Sequence, residues 1–397
     1  MRRLLRLAGV GLIVIIMALA VVWATSPDPE YNPASFEQEQ LLPSVAPMSA
    51  AATLAQVQQA DGEIATLLVT SFDEVEVTAA DLSALSDIRG FDPFAVLASF
   101  SQEELERIAA EGEFSRSYAI ADLLSAGPLG DRHIGTGTNF PEHAEEASSD
   151  SVFQFPKFGR AGPSRTTVRA LDDVLLDYEV ELCMRFDRDI ASLEDFDAAM
   201  KGIFLCGDFT DRTKLMRLVD IDNLDSGRGF SDGKSRVDFY PSGPFLVVPR
   251  DWKSFVAAER FATRVNGALR QDARGGEMTM DFRALVQKAL GDMEKPRFLY
   301  GGEYYRLAPN RQLDADMTLM SGTAEGVIFT QPTRGDFIEG GLDYLLSGKW
   351  LAGEGPVPTV LETFLQNELE SGHFLKAGDL VEHRSSHLGT IEVQVTE

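Results

Sequence analysis

The sequence predicts an α+β protein that is mostly β, with helices at the edges of its sheets and a small α/β region in front of them. Short apolar or alternating segments, typical of β-strands, recur with turn residues between them from residue 131 to the C-terminus. Segments with a helical period are fewer and lie between the strands. The 397 residues, 44% of them hydrophobic, suffice for one large domain or for a large domain with a smaller companion.

The larger region, residues 131–397, is predicted to form a mixed β-roll or sandwich with peripheral helices. Its strand segments are "LLDYEVELCMRF", "GIFLCGDF", "RVDFYPSGPFLVVP", "ATRVNGALRQDA", "DADMTLMSGTAEGVIF" and "GTIEVQVTE". The Asn-Gly pair in "VNGAL" predicts a β-hairpin, because both residues tolerate the positive φ of a tight turn. Helices are predicted at "EDFDAAMKG", "DFRALVQKALGD" and "PTVLETFLQNELESG".

Residues 51–130 form the predicted α/β lead-in region. The segment "EIATLLVTSF" is typical of a strand. In "SQEELERIAAEG", Ser101 and Glu104 have capping-box spacing, and Gly112 is placed to end the helix. Residues 27–50 are rich in proline, serine and glutamate, which predicts an extended linker.

The N-terminus, residues 1–26, is predicted to be a membrane anchor or a signal segment. Arginines occupy positions 2, 3 and 6, and no charge follows until after Ser26. The apolar stretch 7–24 is short for a membrane span, long for the core of a signal peptide, and unlike a buried core helix in its flanking charges. The arginines should stay cytoplasmic. We therefore expect either that residues 7–24 anchor the rest of the chain outside the cytoplasm, in the periplasm or cell envelope, or that the chain is secreted after cleavage.

Composition limits the classes of partner. Lys and Arg number 36 against 62 Asp and Glu, a net charge of −26, which argues against nucleic-acid binding because phosphates need positive charge. The two cysteines, Cys183 and Cys206, are too few for a disulfide framework. An exported protein could form one bridge between them, but small apolar positions in strands favour buried free thiols.

A group of acidic residues interrupts two apolar strands. Glu179 and Glu181 share one strand face with Cys183, and Cys206 shares a face with Asp208. If the two strands pair antiparallel, Asp208 is expected opposite Glu181 and Cys206 opposite Cys183. Three convergent carboxylates would require a hard cation such as Mg²⁺, Mn²⁺ or Ca²⁺. Alternating charges on a half-exposed strand are the simpler interpretation of the same spacing.

Seven segments, in order, resemble the fumarylacetoacetate hydrolase family. They are "HIGTGTNFPEHAEE", "LDYEVEL", "FLCGDFTDR", "GKSRVDFYPSGPFLV", "RVNGALRQ", "MSGTAEGV" and "FLKAGDLVEHRSSHLGTIEVQV". The resemblance covers roughly residues 131–330 and 373–397. It implies the family's mixed β-roll and a homodimer.

The resemblance also implies a site. Glu179, Glu181 and Asp208 would bind a divalent cation, with Mg²⁺ favoured over Mn²⁺ or Ca²⁺. His143, oriented by Glu146 three residues later, would act as the base. Glu145 is the neighbouring alternative to Glu146.

Other family positions set the substrate contacts and the subtype. Lys234 would reach the substrate beside the metal. Thr323, Arg212 and Gln271 would line or support the substrate site, although Ala324 replaces a family proline and Thr213 a family aspartate. Thr136 stands where longer members carry a fourth metal aspartate, so the smaller acylpyruvate hydrolase or 2-oxo acid hydratase type fits better.

The resemblance implies a small-molecule 2-oxo or diketo acid substrate. The favoured reaction is hydrolysis of a C–C bond in an acylpyruvate through a metal-bound enolate, with decarboxylation, hydration or isomerisation on the same site as alternatives. About forty residues near 331–372 interrupt the family pattern, and could cover the active site, contact a second subunit, lie on a membrane or form a plain surface excursion. That insertion and the altered turn residues also leave open a non-catalytic, envelope-tethered binding module.

Overall fold

The chain forms two compact units. A computed structural model describes residues 2–27, 29, 31–112, 114–149 and 151–397, and within the first helix it describes no side chain for residues 2–9 and 12. Asp28 and Glu30 of the predicted linker, and the side chains of the three N-terminal arginines, therefore lie outside the described residues. The first unit comprises Met1–Asn32 and Ile328–Phe374; the second comprises Pro33–Val327 and Leu375–Glu397.

The second unit contains the strands of the described chain. They are β1 (Ala51–Gln58), β2 (Ile64–Phe72), β3 (Glu76–Asp81), β4 (Ser115–Ala119), β5 (Arg132–Gly137), β6 (Phe153–Phe158), β7 (Arg165–Arg169), β8 (Leu176–Asp177), β9 (Val180–Phe186), β10 (Lys201–Gly207), β11 (Thr210–Asp211), β12 (Leu246–Pro249), β13 (Arg260–Val265), β14 (Ala268–Arg274), β15 (Phe298–Tyr300), β16 (Glu303–Tyr305), β17 (Leu319–Met320), β18 (Leu380–Ser385) and β19 (Thr390–Thr396).

Helices lie in both units. They are α1 (Arg2–Ala24), α2 (Leu82–Ser86), α3 (Pro93–Leu97), α4 (Gln102–Glu111), α5 (Pro141–Glu146), α6 (Leu193–Ala198), α7 (Arg212–Leu218), α8 (Phe230–Lys234), α9 (Trp252–Ala258), α10 (Phe282–Leu290), α11 (Arg334–Leu346) and α12 (Pro356–Ser371). Short 3₁₀ turns occur at Ile120–Asp122, Leu224–Ser226, Gly275–Glu277 and Lys349–Ala352. Helices α1, α11 and α12 belong to the first unit and the others to the second.

Two sheets form the body of the second unit. The larger has ten strands in the order β4-β3-β2-β1-β12-β10-β9-β17-β5-β6, and the smaller has five in the order β14-β13-β18-β19-β7. Both mix parallel and antiparallel pairs, since β17 runs parallel to β5 and β19 parallel to β7. The lead-in strands join the large sheet where β1 pairs with β12. The predicted class, α+β and mostly β with helices around the sheets, is confirmed.

The centre of the large sheet is buried from solvent on both faces. Every residue of β9 and β10 is buried, so these strands have no solvent-facing side. Leu54, Leu68 and Phe94 of the lead-in region form one core cluster with Phe204 of β10 and Leu246 of β12. Because water is excluded on both faces, any carboxylate at the ends of β9 or β10 needs a partner from the protein or a bound cation.

Local signals in the sequence specify several elements correctly. Helix α4 begins at a complete capping box formed by Ser101 and Glu104, and Gly112 ends it in the left-handed conformation. Strands β13 and β14 form the predicted hairpin, with positive φ at Asn266 (51°) and Gly267 (82°). These predictions depend on residues close in sequence, which is why they hold.

The predicted register of β9 and β10 is wrong by two residues. The strands pair antiparallel, but Cys206 lies opposite Glu181 and Phe204 opposite Cys183. The backbone N–H of Asp208 donates to the Glu179 carbonyl (2.9 Å), so Asp208 faces Glu179 instead of Glu181.

The cysteines are bridged, and the prediction of free thiols is wrong. Cys183 and Cys206 are diagonal neighbours on adjacent strands, with Cα atoms 6.0 Å apart, and form a disulfide. This separation lies in the ordinary range for a disulfide. The bridge ties together the two strands whose ends carry the acidic residues.

The first unit combines α1 with the insertion near 331–372, which folds into the antiparallel pair α11–α12. The two insertion helices approach closely at Gly340, where an added Cβ would lie only 2.5 Å from Val360 Cα. Glu339 accepts hydrogen bonds from Trp23 Nε1 (2.5 Å) and Asn367 Nδ2 (2.6 Å), linking α1, α11 and α12. Within the described residues, no helix combines the length and the apolar character needed to cross a membrane, so the predicted membrane span is not supported.

Candidate functional site

Three buried carboxylates converge at one end of β9 and β10. Glu179 lies in the break between β8 and β9, Glu181 is the second residue of β9, and Asp208 directly follows β10. One oxygen from each side chain lies within 4.8 Å of the others, and all three residues are buried. The strand pairing alone produces this arrangement, because it sets Asp208 beside Glu179 and leaves Glu181 on the same side two residues along.

Two lysines contact these carboxylates. Lys234, the last residue of α8, places Nζ 2.7 Å from Glu179 Oε2 and 2.9 Å from Asp208 Oδ2, and donates to Thr210 Oγ1 (2.8 Å). Lys157 on β6 is fully buried and donates to Asp208 Oδ1 (2.5 Å). Burial lowers the pKa of Lys157, although Asp208 opposes the shift. Burial also opposes the charge on Lys234, but Asp208 and Glu179 outweigh it and raise its pKa.

Arg212 supports the site from the start of α7. Its Nε donates to Asp177 Oδ2 (2.9 Å) and a terminal nitrogen to Glu179 Oε1 (2.7 Å). Arg212 is itself buried, which would lower its pKa, but Asp177 and Glu179 outweigh that effect and raise it. Thr213, which replaces the family aspartate, accepts from the Leu175 N–H through its hydroxyl (3.0 Å).

Glu179 and Glu181 differ sharply in their electrostatic surroundings. Burial would raise the pKa of Glu179, but Lys234 and Arg212 outweigh it and lower the pKa to about 2. Burial and the negative charges of Asp208 and Glu179 instead raise the pKa of Glu181 well above its usual range. Glu181 is therefore the carboxylate whose charge the protein leaves least compensated.

The residues present fit a divalent cation. Glu181 Oε2 accepts from the Gly322 N–H (2.8 Å), whereas Oε1 has no hydrogen-bond partner among the described residues. Asp177, Glu179, Glu181 and Asp208 supply four carboxylates against the three cations already named. A buried, unpartnered carboxylate oxygen beside two further carboxylates is an all-oxygen donor set, which hard divalent ions prefer.

An acid–base pair lies on the single helical turn of α5. His143 Nδ1 is 2.9 Å from Glu146 Oε2, and both side chains are about nine-tenths buried. Glu146 Oε1 accepts from the Gly326 N–H (2.8 Å), which fixes the carboxylate in turn. Glu145, the alternative partner, is exposed. Gly326, which donates to Glu146, and Gly322, which donates to Glu181, belong to the same short turn, so the acid–base pair and the acidic cluster both adjoin that turn.

The turn at residues 321–326 closes over the end of β9. Gly322 adopts a positive φ (81°), which directs its N–H to Glu181. The Thr323 hydroxyl donates to the Val180 carbonyl (2.9 Å) and accepts from Gln271 Nε2 (2.9 Å), while the same nitrogen donates to the Ala324 carbonyl (2.9 Å). The structure therefore places Thr323 and Gln271 as supports of this turn, with the donor of the Thr323 hydroxyl already used.

Sequence reasoning missed two groups near the site. Lys157 stands in the alternating aromatic strand "FQFPKF", and a lysine on the buried face of such a strand is the signal that could have identified it. Behind Gln271, Thr263 donates to its amide oxygen (2.9 Å) and contacts His383 Nδ1 (2.9 Å). Burial lowers the pKa of His383 to about 3, so it is a neutral part of the core.

Several solved structures are similar in fold but share little sequence with this chain. A fumarylacetoacetate hydrolase from the psychrophile Exiguobacterium antarcticum is 19% identical, with a TM-score of 0.51, covering 87% of this chain and 99% of its own. A Mycobacterium abscessus protein described as a 2-hydroxyhepta-2,4-diene-1,7-dioate isomerase is 18% identical, with a TM-score of 0.50 and coverages of 87% and 98%. A fumarylpyruvate hydrolase from Pseudomonas aeruginosa, solved with Mn²⁺ and pyruvate, is 17% identical, with a TM-score of 0.44 and coverages of 68% and 91%.

These likenesses concern the fold, and the sequence comparison identifies the family. No curated protein matches the chain. Residues 132–396, more than half of the sequence, match the family described as fumarylacetoacetate (FAA) hydrolase, C-terminal. This range includes the acidic cluster, both lysines, the His143–Glu146 pair and the turn at 321–326. The chain therefore belongs to the fumarylacetoacetate hydrolase family.

Proposed function

We propose that this protein is a divalent-cation-dependent hydrolase that cleaves a C–C bond in an acylpyruvate or a related β-diketo or 2-oxo acid. The observation that carries the proposal is the set of three buried carboxylates within 4.8 Å of one another beside the His143–Glu146 pair. Mg²⁺ is the preferred ion because the donors are all oxygen, and Mn²⁺ or Ca²⁺ are the alternatives.

The residues that would hold the cation are Glu179, Glu181 and Asp208. When bound, the cation would supply Lewis-acid stabilisation of the negative charge that develops on the substrate oxygens. Lys157, Lys234 and Arg212 already neutralise much of the acidic cluster, so the free oxygen of Glu181 is the group most in need of the ion.

In this proposal, His143 accepts and returns the proton. Glu146 holds Nδ1, which leaves Nε2 as the nitrogen that can take a proton from water. The water oxygen adds to the acyl carbonyl, the adjacent C–C bond breaks, and its electron pair passes to the pyruvate fragment as an enolate. The proton on His143 then returns to that fragment, giving a carboxylic acid and pyruvate. Lys234, whose pKa is raised, keeps a positive charge beside the developing anion.

A location outside the cytoplasm is part of the proposal. A buried disulfide between β9 and β10 is compatible with an oxidising compartment and uncommon in the cytosol. The arginine-led apolar N-terminus agrees with export, whether residues 7–24 remain as an attachment or are removed. Assembly as a homodimer is proposed from the family resemblance, and light scattering of the purified protein checks it.

The decisive experiment is an activity assay on the metal-stripped protein. Mg²⁺ or Mn²⁺ is added back, and loss of the enol absorbance of simple acylpyruvates is followed, with Glu181→Gln and His143→Ala as variants. Metal-dependent loss that both variants abolish supports hydrolysis at this site.

Other outcomes redirect the proposal. Tight metal binding without acylpyruvate loss, removed by Glu181→Gln, contradicts hydrolysis and directs the search to decarboxylation, hydration or isomerisation of 2-oxo acids. Product analysis then shows which bond changes. Absence of metal binding contradicts the proposed enzyme altogether and favours a binding module.

A further inference from the structure

The tip of the α11–α12 pair exposes an unusual amount of apolar surface. We define the hairpin tip as residues 342–357, where α11 ends, a 3₁₀ turn follows and α12 begins. Its exposed large apolar residues are Leu342, Leu345, Leu346, Trp350, Leu351 and Val357. Leu346 and Leu351 are 86% and 74% exposed. A contiguous cluster of large apolar side chains that each remain about half exposed or more is typical of an interaction surface.

The chemistry of the hairpin tip is that of a membrane–water interface. The stretch "YLLSGKWLAG", residues 344–353, has one charge, Lys349, and acidic residues appear only at its flanks, Asp343 and Glu354. Trp350 donates its indole N–H to the Leu345 carbonyl (3.2 Å), so its polar atom is satisfied while half of the side chain is exposed. Leucine with tryptophan, tyrosine and lysine is the combination that favours the boundary between headgroups and acyl chains.

Helix α1, in the same unit, is apolar on all sides that are described. Five consecutive residues, Ile13–Met17, are each between 55% and 58% exposed, so no face of this stretch is packed. A helix that is hydrophobic all round requires apolar surroundings.

The contacts of α1 set its direction relative to α11. Thr333 donates to the Ser26 carbonyl (3.4 Å), and six residues further on Glu339 accepts from Trp23. The two helices are therefore antiparallel where they touch, and both extend from there toward the same end of the unit. The apolar body of α1 and the hairpin tip consequently present apolar surface at that end.

We propose that the hairpin tip binds the interfacial layer of a lipid bilayer, with Leu346, Trp350 and Leu351 inserted below the headgroups. The proposal does not require α1 to cross the membrane, and it does not depend on the reaction catalysed by the other unit. A second copy of the chain is the less favourable occupant. In a symmetric contact, Asp343 and Glu354 at the flanks would oppose the same acidic residues of the other copy.

The test measures the position of Trp350 in the full chain. The chain has three tryptophans, so Trp23→Phe with Trp252→Phe leaves Trp350 as the only one. This variant is mixed with phosphatidylcholine vesicles whose acyl chains are either normal or brominated near the headgroup. Insertion predicts at least a twofold lower Trp350 fluorescence with brominated lipid, because bromine quenches only nearby indoles. Equal fluorescence in both vesicles overturns the proposal, even if α1 carries the chain to the vesicles.

A second pair of substitutions tests the assignment to these side chains. Adding Leu346→Asp and Leu351→Asp should abolish the quenching, whereas Leu171→Asp with Ile221→Asp, exposed positions in the other unit, should leave it unchanged. Both pairs replace exposed side chains, so thermal unfolding should confirm that folding is intact. The proposal is wrong if the variant with Trp350 as its only tryptophan shows no quenching and the tip pair converts a dimer to a monomer in sedimentation. In that case the surface binds a second copy of the chain.

Discussion

At the scale of single residues, two neighbouring glutamates show how contacts assign different tasks to the same side chain. Glu179 is paired with Lys234 and Arg212, and its pKa falls to about 2. Glu181 has a backbone N–H on one oxygen and no partner on the other among the described residues, and its pKa rises. Glu179 thus stabilises the fold as an anion, whereas Glu181 is costly as an anion until a cation binds.

The first prediction concerns Glu181→Gln in metal-free protein. The unfolded chain releases the Glu181 proton near pH 4.5, but the folded protein holds it to higher pH, so this residue lowers stability as pH rises. Glu181→Gln should therefore match the wild type near pH 4.5 and exceed it by about 1–3 kcal/mol at pH 8. Urea unfolding at several pH values measures the difference. The exposed Glu103→Gln should show no such trend, and a flat difference for Glu181→Gln would contradict the raised pKa.

For Glu179 we expect stability to depend on pH in the opposite direction. Its pKa is lowered to about 2, so its contribution is fully present above pH 4.5 and is lost as pH falls toward 2. Glu179→Gln should destabilise the protein at pH 7 by several kcal/mol, because Lys234 and Arg212 lose a buried partner. The deficit should shrink as pH falls toward 2. Urea unfolding across this range measures it, and a deficit that does not shrink would show that the ion pairs do not act as the structure indicates.

The acid–base pair gives a third residue-scale prediction. Gln at position 146 can still accept from the Gly326 N–H, so Glu146→Gln should keep the turn while removing the charge beside His143. We expect kcat to fall by about 10²-fold or more, with little change in the unfolding free energy. The neighbouring Glu145→Gln, which alters an exposed side chain, is the matched control. Equal activity of the two variants would remove Glu146 from the mechanism.

At the scale of elements, local features were predictable and long-range pairing was not. The capping box of α4 and the Asn266–Gly267 hairpin depend on a few adjacent residues, and both were correct. The register of β9 against β10 was wrong by two residues, because both strands are buried on both faces and alternation cannot select one register. The disulfide was missed for a different reason: the prediction of free thiols rested on the usual state of buried cysteines in strands, and both the predicted and the observed register bring the two cysteines close enough to bridge.

The disulfide predicts a measurable contribution to stability. It closes a loop with a sequence separation of 23 residues, for which loop entropy gives about 3 kcal/mol. Cys183→Ala combined with Cys206→Ala should lose about this much in urea unfolding. Because β9 and β10 carry the carboxylates, the same variant should also bind Mg²⁺ or Mn²⁺ more weakly in calorimetry. Unchanged metal affinity with reduced stability would show that the bridge supports the sheet and not the site.

At the scale of the whole molecule, the buried site is nearly balanced in charge, whereas the rest of the chain is strongly acidic. The buried cluster balances four carboxylates with three cations, whereas the chain as a whole has a net charge of −26. Most of that excess therefore lies outside the site and repels itself through solvent. Such repulsion favours solubility and opposes compactness, and dissolved salt screens it far more than it screens buried pairs.

Salt should therefore stabilise the folded protein. Raising NaCl from about 0.01 M to about 1 M shortens the screening length from about 30 Å to about 3 Å, which removes most repulsion between surface carboxylates. We expect the thermal midpoint of the metal-free protein to rise with NaCl at pH 8. The rise should vanish near pH 4.6, where the net charge is close to zero. The same NaCl scan on Glu181→Gln distinguishes buried charge from surface charge. The extra stability of this variant comes from removing a buried charge, so it should persist at high salt. A midpoint that falls with NaCl at pH 8 would mean that surface ion pairs outweigh the repulsion, despite the excess of acidic residues.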